Sequence, residues 1–189
     1  FYADDVGHLT LDDPISFSGN ICYVDGQPDS GFYIGYFNRE KRLAVLQDES
    51  SHAWRDHFLG VVLDGPSRIG YWFMPILQTN DSVHCRREGY LFEPTRQRHW
   101  FHYAYDPTAN EGNGKITVKI DDDQFTHDVP PEIRNGPCNF DRFGIMNARG
   151  GGKVVQVYVD DLSYTARPPT NDQRHRRKVE TVPYPDGGR

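Results

Sequence analysis

The segment His84–Tyr90 combines basic, acidic and aromatic side chains that are suited to chemistry on a polar ligand. If it forms a β-strand, His84, Arg86 and Tyr90 share one face, because side chains alternate across a strand. A second strand expected to start at Trp100 places His102 on the same face as Trp100. Arginine binds carboxylates and sulfates with paired hydrogen bonds, and aromatic rings stack on the apolar faces of sugars. These residue types indicate recognition of a carbohydrate.

The same residues are compatible with catalysis. In a polysaccharide lyase, an arginine neutralises a uronate while a tyrosine or histidine removes the proton next to the carboxyl group. If the protein is such an enzyme, the candidate catalytic residues are His84, Arg86, Tyr90 and His102. A glucanase-like hydrolase is disfavoured, because no glutamate of the chain has partner carboxylates at positions i+2 and i+4. The third interpretation is that these are exposed strand residues pairing with charges on neighbouring strands.

Other strand ends contribute further candidate ligand contacts. Asparagine is suited to sugar hydroxyls because its amide both donates and accepts hydrogen bonds. Neighbouring aromatic residues on one strand place rings on both faces, so one of them either joins the core or forms a sugar platform. The full set of predicted ligand-binding residues is Tyr36, Asn38, Tyr71, Trp72, His84, Arg86, His102 and Asn147. An anionic sugar is suggested by four arginines, Arg86, Arg87, Arg96 and Arg98.

The elements that must hold these residues are strands. Short apolar segments recur between turns rich in glycine, proline, asparagine and aspartate, and no convincing amphipathic helix separates them. This pattern predicts an all-β fold, a two-sheet antiparallel β-sandwich, over residues 1–166. Residues 167–189 are rich in proline and basic residues, and we expect an extended tail or linker there.

A family resemblance supports this fold. Its motifs are a Trp-started strand, a strand–Asp turn, a Phe-Gly strand and a final Asp-Asp strand, at Trp100–Tyr105, Lys115–Asp122, Phe143–Gly144 and Val157–Thr165. In that order they resemble the C-terminal half of laminin-G-like and other concanavalin A-like lectin and glucanase jelly rolls. The resemblance implies a secreted protein, extracellular or periplasmic, that handles glycans. The implied alternatives are a lyase and a protein-interaction or structural module.

Calcium is the one metal that the pattern suggests. Two carboxylates lie in the first segment and two in the last, and these segments are neighbours in folds of this type. The predicted calcium ligands are therefore Asp4, Asp5, Asp160 and Asp161. An equally acceptable reading is that Asp160 and Asp161 simply end a strand. The spacing of the histidines does not match a zinc site, and no organic cofactor is expected.

Bulk properties narrow the partners. The formal charge of −6 gives no general attraction to nucleic acid. No apolar run is long enough to insert across a bilayer. Three cysteines, Cys22, Cys85 and Cys138, allow either buried thiols or one disulfide with a free thiol.

We expect a glycan or polysaccharide as the partner, with the domain acting inside a larger multidomain protein or self-assembling. A deep groove would favour an enzyme, a shallow aromatic shelf a binding module, and a flat apolar patch a protein partner.

Overall fold

The chain folds as two antiparallel β-sheets. The structure, a computed structural model, describes residues 2–28, 30–41, 43–44, 54–55, 57–67, 70–79, 83–85, 90–147 and 154–167. The strands in these ranges are β1 (Tyr2–Thr10), β2 (Ile15–Gly26), β3 (Gly31–Phe37), β4 (Leu43–Ala44), β5 (Trp54–Arg55), β6 (Phe58–Ser67), β7 (Gly70–Gln78), β8 (Val83–Cys85), β9 (Tyr90–Leu91), β10 (Arg98–Asp106), β11 (Lys115–Ile120), β12 (Asp123–Asp128), β13 (Asn139–Asn147) and β14 (Val155–Tyr164). A 3₁₀ turn, Asn110–Gly112, and a one-turn helix α1, Pro131–Arg134, join the later strands.

One sheet has seven strands, in the order β1-β13-β3-β6-β7-β8, with β9 also paired to β7. The other has five, in the order β12-β11-β10-β2-β14. Every recorded strand pair is antiparallel. The predicted all-β, two-sheet antiparallel sandwich is confirmed. Of the predicted tail, only Arg167 lies within the described residues, and its backbone N–H donates to the Val6 carbonyl at 2.9 Å.

The core between the sheets follows from alternation along the strands. In β2, every second residue from Ile15 to Tyr23 is buried, while the residues between them are only partly buried. Phe17 lies at the centre of this layer, with its ring 4.8 Å from that of Tyr103 and 5.3 Å from that of Phe143. The two sheets are therefore joined by packed aromatic rings.

The seven-stranded sheet is buried on its outer face as well. All seven residues of β3 are buried, so this strand has no solvent-facing side. A second apolar cluster occupies that outer face, and its members are Tyr33, Phe37, Phe58, Val62, Met74, Ile76 and Met146. The five-stranded sheet differs, because β2, β10 and β14 alternate buried or core-packed residues with more exposed ones. Exposed polar and aromatic side chains are therefore concentrated on its outer face.

Within the described residues, no helix has the length and apolar character needed to span a membrane.

Candidate functional site

The predicted ligand residue Tyr36 lies in the core instead of on a surface. Its side chain is fully buried, and its hydroxyl donates to the Ser16 carbonyl at 2.7 Å. Burial raises the pKa of this phenol well above its usual value. Its position near the end of a strand suggested a ligand contact, but the side chain faces the core between the two sheets. Tyr36 therefore joins the two sheets and is not available to a ligand.

Asn38, also predicted to contact ligand, has a structural role at the end of β3. Its amide nitrogen donates to the side-chain oxygen of Asn139, which starts β13. Its own side-chain oxygen accepts the backbone N–H of Glu40 at 2.9 Å. Both hydrogen-bonding groups of the amide are thus used to close the turn after the strand.

For four other predicted residues the backbone fixes the strand and register. Tyr71 and Trp72 are in β7, His84 is in β8, and Asn147 is the last residue of β13. Register pairs Trp72 with Leu91, His84 with Leu77, and Asn147 with Phe32. Arg86 and Arg87 lie outside the described residues.

The structure does not bring Tyr90 and His102, two of the predicted catalytic residues, onto one surface. Tyr90 starts β9, at the margin of the seven-stranded sheet. His102 is in β10, on the outer face of the five-stranded sheet, away from the core. A lyase site that used both residues is therefore not assembled by the described strands.

His102 instead belongs to an aromatic surface. Its ring is stacked on that of Trp100, with centroids 5.9 Å apart and ring planes only 5° apart. Trp100 is 43% exposed, and Tyr158, two strands away, is 48% exposed. Burial and the nearby ammonium of Lys119 lower the pKa of His102, which keeps its ring neutral at pH 7. The two parallel rings form an uncharged aromatic platform, in which the Trp100 ring is the more exposed.

Polar side chains border this platform across neighbouring strands. Register places Trp100 opposite Asn20, and Arg98 opposite Cys22, which is in turn opposite Tyr158. The Asn20 amide and the Arg98 guanidinium both donate to one oxygen of Asp161, at 3.0 and 2.7 Å. We refer to these side chains as the Trp100 shelf, made of Asn20, Arg98, Trp100, His102, Tyr158 and Asp161.

A β-bulge in β14 explains how Asp161 reaches this surface. The register between β14 and β2 shifts between Asp160 and Ser163, and Asp161 has a positive φ of 53°. An extra residue in one strand re-aims the side chains that follow it. The bulge gives two successive aspartates access to Arg98, with Asp160 at 3.8 Å and Asp161 at 2.7 Å.

Comparisons with known proteins bear on the fold. No family model and no curated protein matches the chain. Among solved structures, the carbohydrate recognition domain of Emp47p aligns with a TM-score of 0.54 and 13% identity, covering 86% of this chain and 75% of that one. The fold is the concanavalin A-like jelly roll. A weaker match is the carbohydrate recognition domain of Emp46p, with a TM-score of 0.48 and 11% identity, covering 82% of this chain and 73% of that one. Another is an alginate lyase from Pseudomonas aeruginosa, with a TM-score of 0.46 and 8% identity, covering 83% of this chain and 66% of that one.

Only His102 of the six shelf residues was among the predicted ligand contacts. The five that were missed are Asn20, Arg98, Trp100, Tyr158 and Asp161. The alternation in β10 did place Trp100 and His102 on one face, which was the available signal. Which face is exposed depends on what packs against the other, and alternation alone does not reveal this. The contact between Arg98 and Asp161 joins residues 63 positions apart and left no local pattern.

The four predicted calcium ligands do not form one site. Asp5 pairs with Arg142 at 3.0 Å, and Asp4 accepts hydrogen bonds from the hydroxyls of Tyr2 and Tyr164. The other two aspartates contact Arg98 on the outer face of the five-stranded sheet. Among the described residues, no three His, Cys, Asp or Glu side chains are grouped as a metal site. Calcium needs several oxygens that converge, so the arrangement of these four carboxylates does not fit the ion.

Cys22 and Cys138 are not bridged to each other; both are free thiols. Cys22 is partly exposed, between Arg98 and Tyr158 in the register of the shelf. Cys138 contacts the Gln78 carbonyl at 3.6 Å, and burial raises the pKa of its thiol far above the usual range. The side chain of Cys85 is not among those described.

Proposed function

We propose that this jelly roll binds a neutral glycan on the Trp100 shelf. The observation that carries the proposal is the pair of parallel rings of Trp100 and His102, held on a solvent-facing sheet. A pyranose ring presents an apolar face of C–H groups, and a flat aromatic surface matches it in shape and polarity. A binding role is favoured over catalysis because the shelf lies on the exposed outer face of a sheet, whereas enzymes enclose their reacting groups in concave sites.

The polar border supplies the hydrogen bonds that sugars need. Asn20 and Asp161 are fixed by their mutual hydrogen bond, so their remaining lone pairs and N–H groups are already oriented. Preorganised side chains lose little entropy when ligand binds, which favours affinity. Tyr158 provides a second exposed ring on the far side of the Asn20 strand. Together these residues suit a sugar chain that crosses β10, β2 and β14.

The charges of the shelf support a neutral ligand. Arg98 contacts both Asp160 and Asp161, so its positive charge is already neutralised by two carboxylates. A uronate would have to approach these carboxylates, and like charges repel. Among the four arginines that suggested an anionic sugar, Arg98 is thus committed to protein partners. We therefore replace the earlier expectation of an anionic glycan, for this surface, with a neutral one.

The comparison with Emp47p adds support from a protein whose domain is described as recognising carbohydrate. At 13% identity the likeness concerns the fold, so the ligand of this chain rests on its own shelf residues. We extend the proposal to a protein that acts outside the cell or in the periplasm, where free polysaccharides are encountered.

The test is a screen of neutral and uronate-containing oligosaccharides by isothermal titration calorimetry, with absorbance near 235 nm followed in parallel. We expect neutral oligosaccharides to bind and no absorbance to develop. Unsaturated uronate product would show that the protein is a lyase and refute the proposal. Binding of uronates alone would refute the assignment of a neutral ligand. Failure of every glycan to bind would leave a protein-interaction module as the better reading.

A further inference from the structure

A cleft lies near the N-terminal end of β10, separate from the outward-facing shelf. Its volume is about 350 Å³, and its walls come from β9, from the segment that follows it and from the start of β10. Cavities of this size hold small ligands or single sugar units. The argument below uses Tyr90, Glu93, Gln97 and His99 among its lining residues.

One wall of the cleft is aromatic and firmly built. Phe92 is 1% exposed and packs against Tyr23 and Phe73, with ring centroids 6.1 and 5.8 Å apart. The Tyr90 ring lies 6.3 Å from that of Phe92, and the His99 ring meets Phe92 edge-on at 5.1 Å. Phe92 is too buried to touch a ligand, but it holds the partly exposed Tyr90 ring in place, so that this ring can receive the apolar face of a ligand.

The polar groups of the cleft are mainly acceptors. Nδ1 of His99 lies 2.6 Å from a carboxylate oxygen of Asp121. In the neutral imidazole this contact places the proton on Nδ1 and leaves Nε2 as an acceptor. Glu93 adds an exposed carboxylate, and Gln97 a side-chain amide. A ligand that fills this cleft should therefore bring donors.

Carboxylates lie in and beside the cleft: Glu93 is one of its lining residues, and Asp121 contacts the lining residue His99. Burial, together with the carboxylates of Asp123 and Asp121, raises the pKa of Tyr90. No lysine or arginine occurs among the lining residues in the described part of the chain. A cation near an aromatic ring gains additional attraction from the negative face of the ring.

From this combination we propose that the cleft binds a small sugar carrying a protonated amine, such as a hexosamine. The ammonium group lies beside Glu93 and the ring of Tyr90, and the hydroxyls donate to His99 and Gln97. The site is independent of the neutral-glycan surface, because it uses none of the shelf side chains. Asp121 touches both regions, since its second oxygen accepts the backbone N–H of Trp100 at 2.9 Å.

Two-dimensional NMR titration of the whole chain with glucosamine, glucose, N-acetylglucosamine and glucuronic acid tests the proposal. We expect glucosamine to shift the amide resonances of residues 90–97 and to bind about fivefold more tightly than glucose, the size of effect that one exposed charge contact produces. N-acetylation should remove this preference because it removes the positive charge. Glucuronic acid should bind most weakly.

Variants separate the cleft from the shelf. Glu93→Gln should abolish the preference for glucosamine, while Glu132→Gln, which removes an exposed carboxylate on α1, should preserve it. Trp100→Ala should weaken neutral-glycan binding and leave glucosamine binding intact. Equal affinities for glucosamine and glucose, or shifts confined to residues outside 90–99, would overturn the proposal. Glucosamine binding that persists unchanged in Glu93→Gln would overturn the assigned role of that carboxylate.

Discussion

Replacing Trp100 with alanine is the sharpest perturbation of the proposed glycan surface. A tryptophan offers up to about 250 Å² of surface, so the 43% exposure of Trp100 leaves about 100 Å² facing solvent. A sugar ring that covers about half of it removes about 50 Å² from water, which at about 25 cal/mol/Å² stabilises the complex by about 1.2 kcal/mol. The variant should therefore bind glycan about eightfold more weakly.

The folded state should tolerate this change. The variant loses the ring contact with His102, a pair of a kind that contributes about 0.5–1.5 kcal/mol. Thermal unfolding should thus remain cooperative with a slightly lower Tm, and calorimetric titration can then report the ligand affinity directly. Tyr2→Ala is the matched control, because Tyr2 is 41% exposed but lies on β1 of the other sheet. Unchanged glycan affinity in Trp100→Ala, or an equal loss in both variants, would refute the role of the shelf.

Further predictions concern titration, thiol access and ligand length. The pKa of His102 is lowered in the folded state, so the unfolded chain takes up its proton first as the pH falls below 6.5, and the protein loses stability. In His102→Gln, the free energy of unfolding measured with denaturant should therefore fall less steeply between pH 7 and 5. Burial raises the pKa of Tyr105 to about 12, so stability should decline as the pH rises from 10 towards 12, and less steeply in Tyr105→Phe. Burial raises the pKa of the Cys138 thiol and so lowers the fraction of reactive thiolate. Maleimide should therefore label Cys22 before Cys138, and bound glycan should slow the labelling of Cys22; equal labelling rates would contradict the burial of the Cys138 thiol. The shelf spans three strands, about 10 Å, so affinity measured by calorimetry should rise from a monosaccharide to a short oligosaccharide and then level off.

The fold was predictable because its determinants are local. In β2, the alternation of Ile15, Phe17, Ile21 and Tyr23 with polar neighbours specifies a strand that is buried on one face. Turn residues set the ends of several strands, as at Asp121, which has a positive φ of 49° between β11 and β12. Such signals repeat along the chain and need no knowledge of partners distant in sequence.

The candidate site was less predictable, because it depends on which faces are left open. Tyr36 and Trp100 are both aromatic residues in alternating strands, yet one is fully buried and the other is 43% exposed. The difference arises from the face that each ring occupies. Tyr36 faces the core between the two sheets, where its hydroxyl donates to the Ser16 carbonyl, whereas Trp100 lies on the outer face of the five-stranded sheet. Alternation defines the two faces of a strand, and only the assembled sandwich shows which face is covered.

The distribution of charge explains why one end of this jelly roll presents two chemically different surfaces. On the shelf, Arg98 and the ammonium of Lys119 near His102 together balance the two negative charges of Asp160 and Asp161, so the rings of Trp100 and His102 lie in a nearly neutral environment. Beside the cleft, the ion-pair partner of Asp121 is the imidazole of His99, which carries a compensating charge only when protonated. A neutral sugar therefore avoids desolvating an unpaired charge on the shelf, whereas a cationic sugar gains from the carboxylates in and beside the cleft. Three successive residues of β10 are divided between the two surfaces, because side chains alternate along the strand: His99 lines the cleft, and Arg98 and Trp100 belong to the shelf.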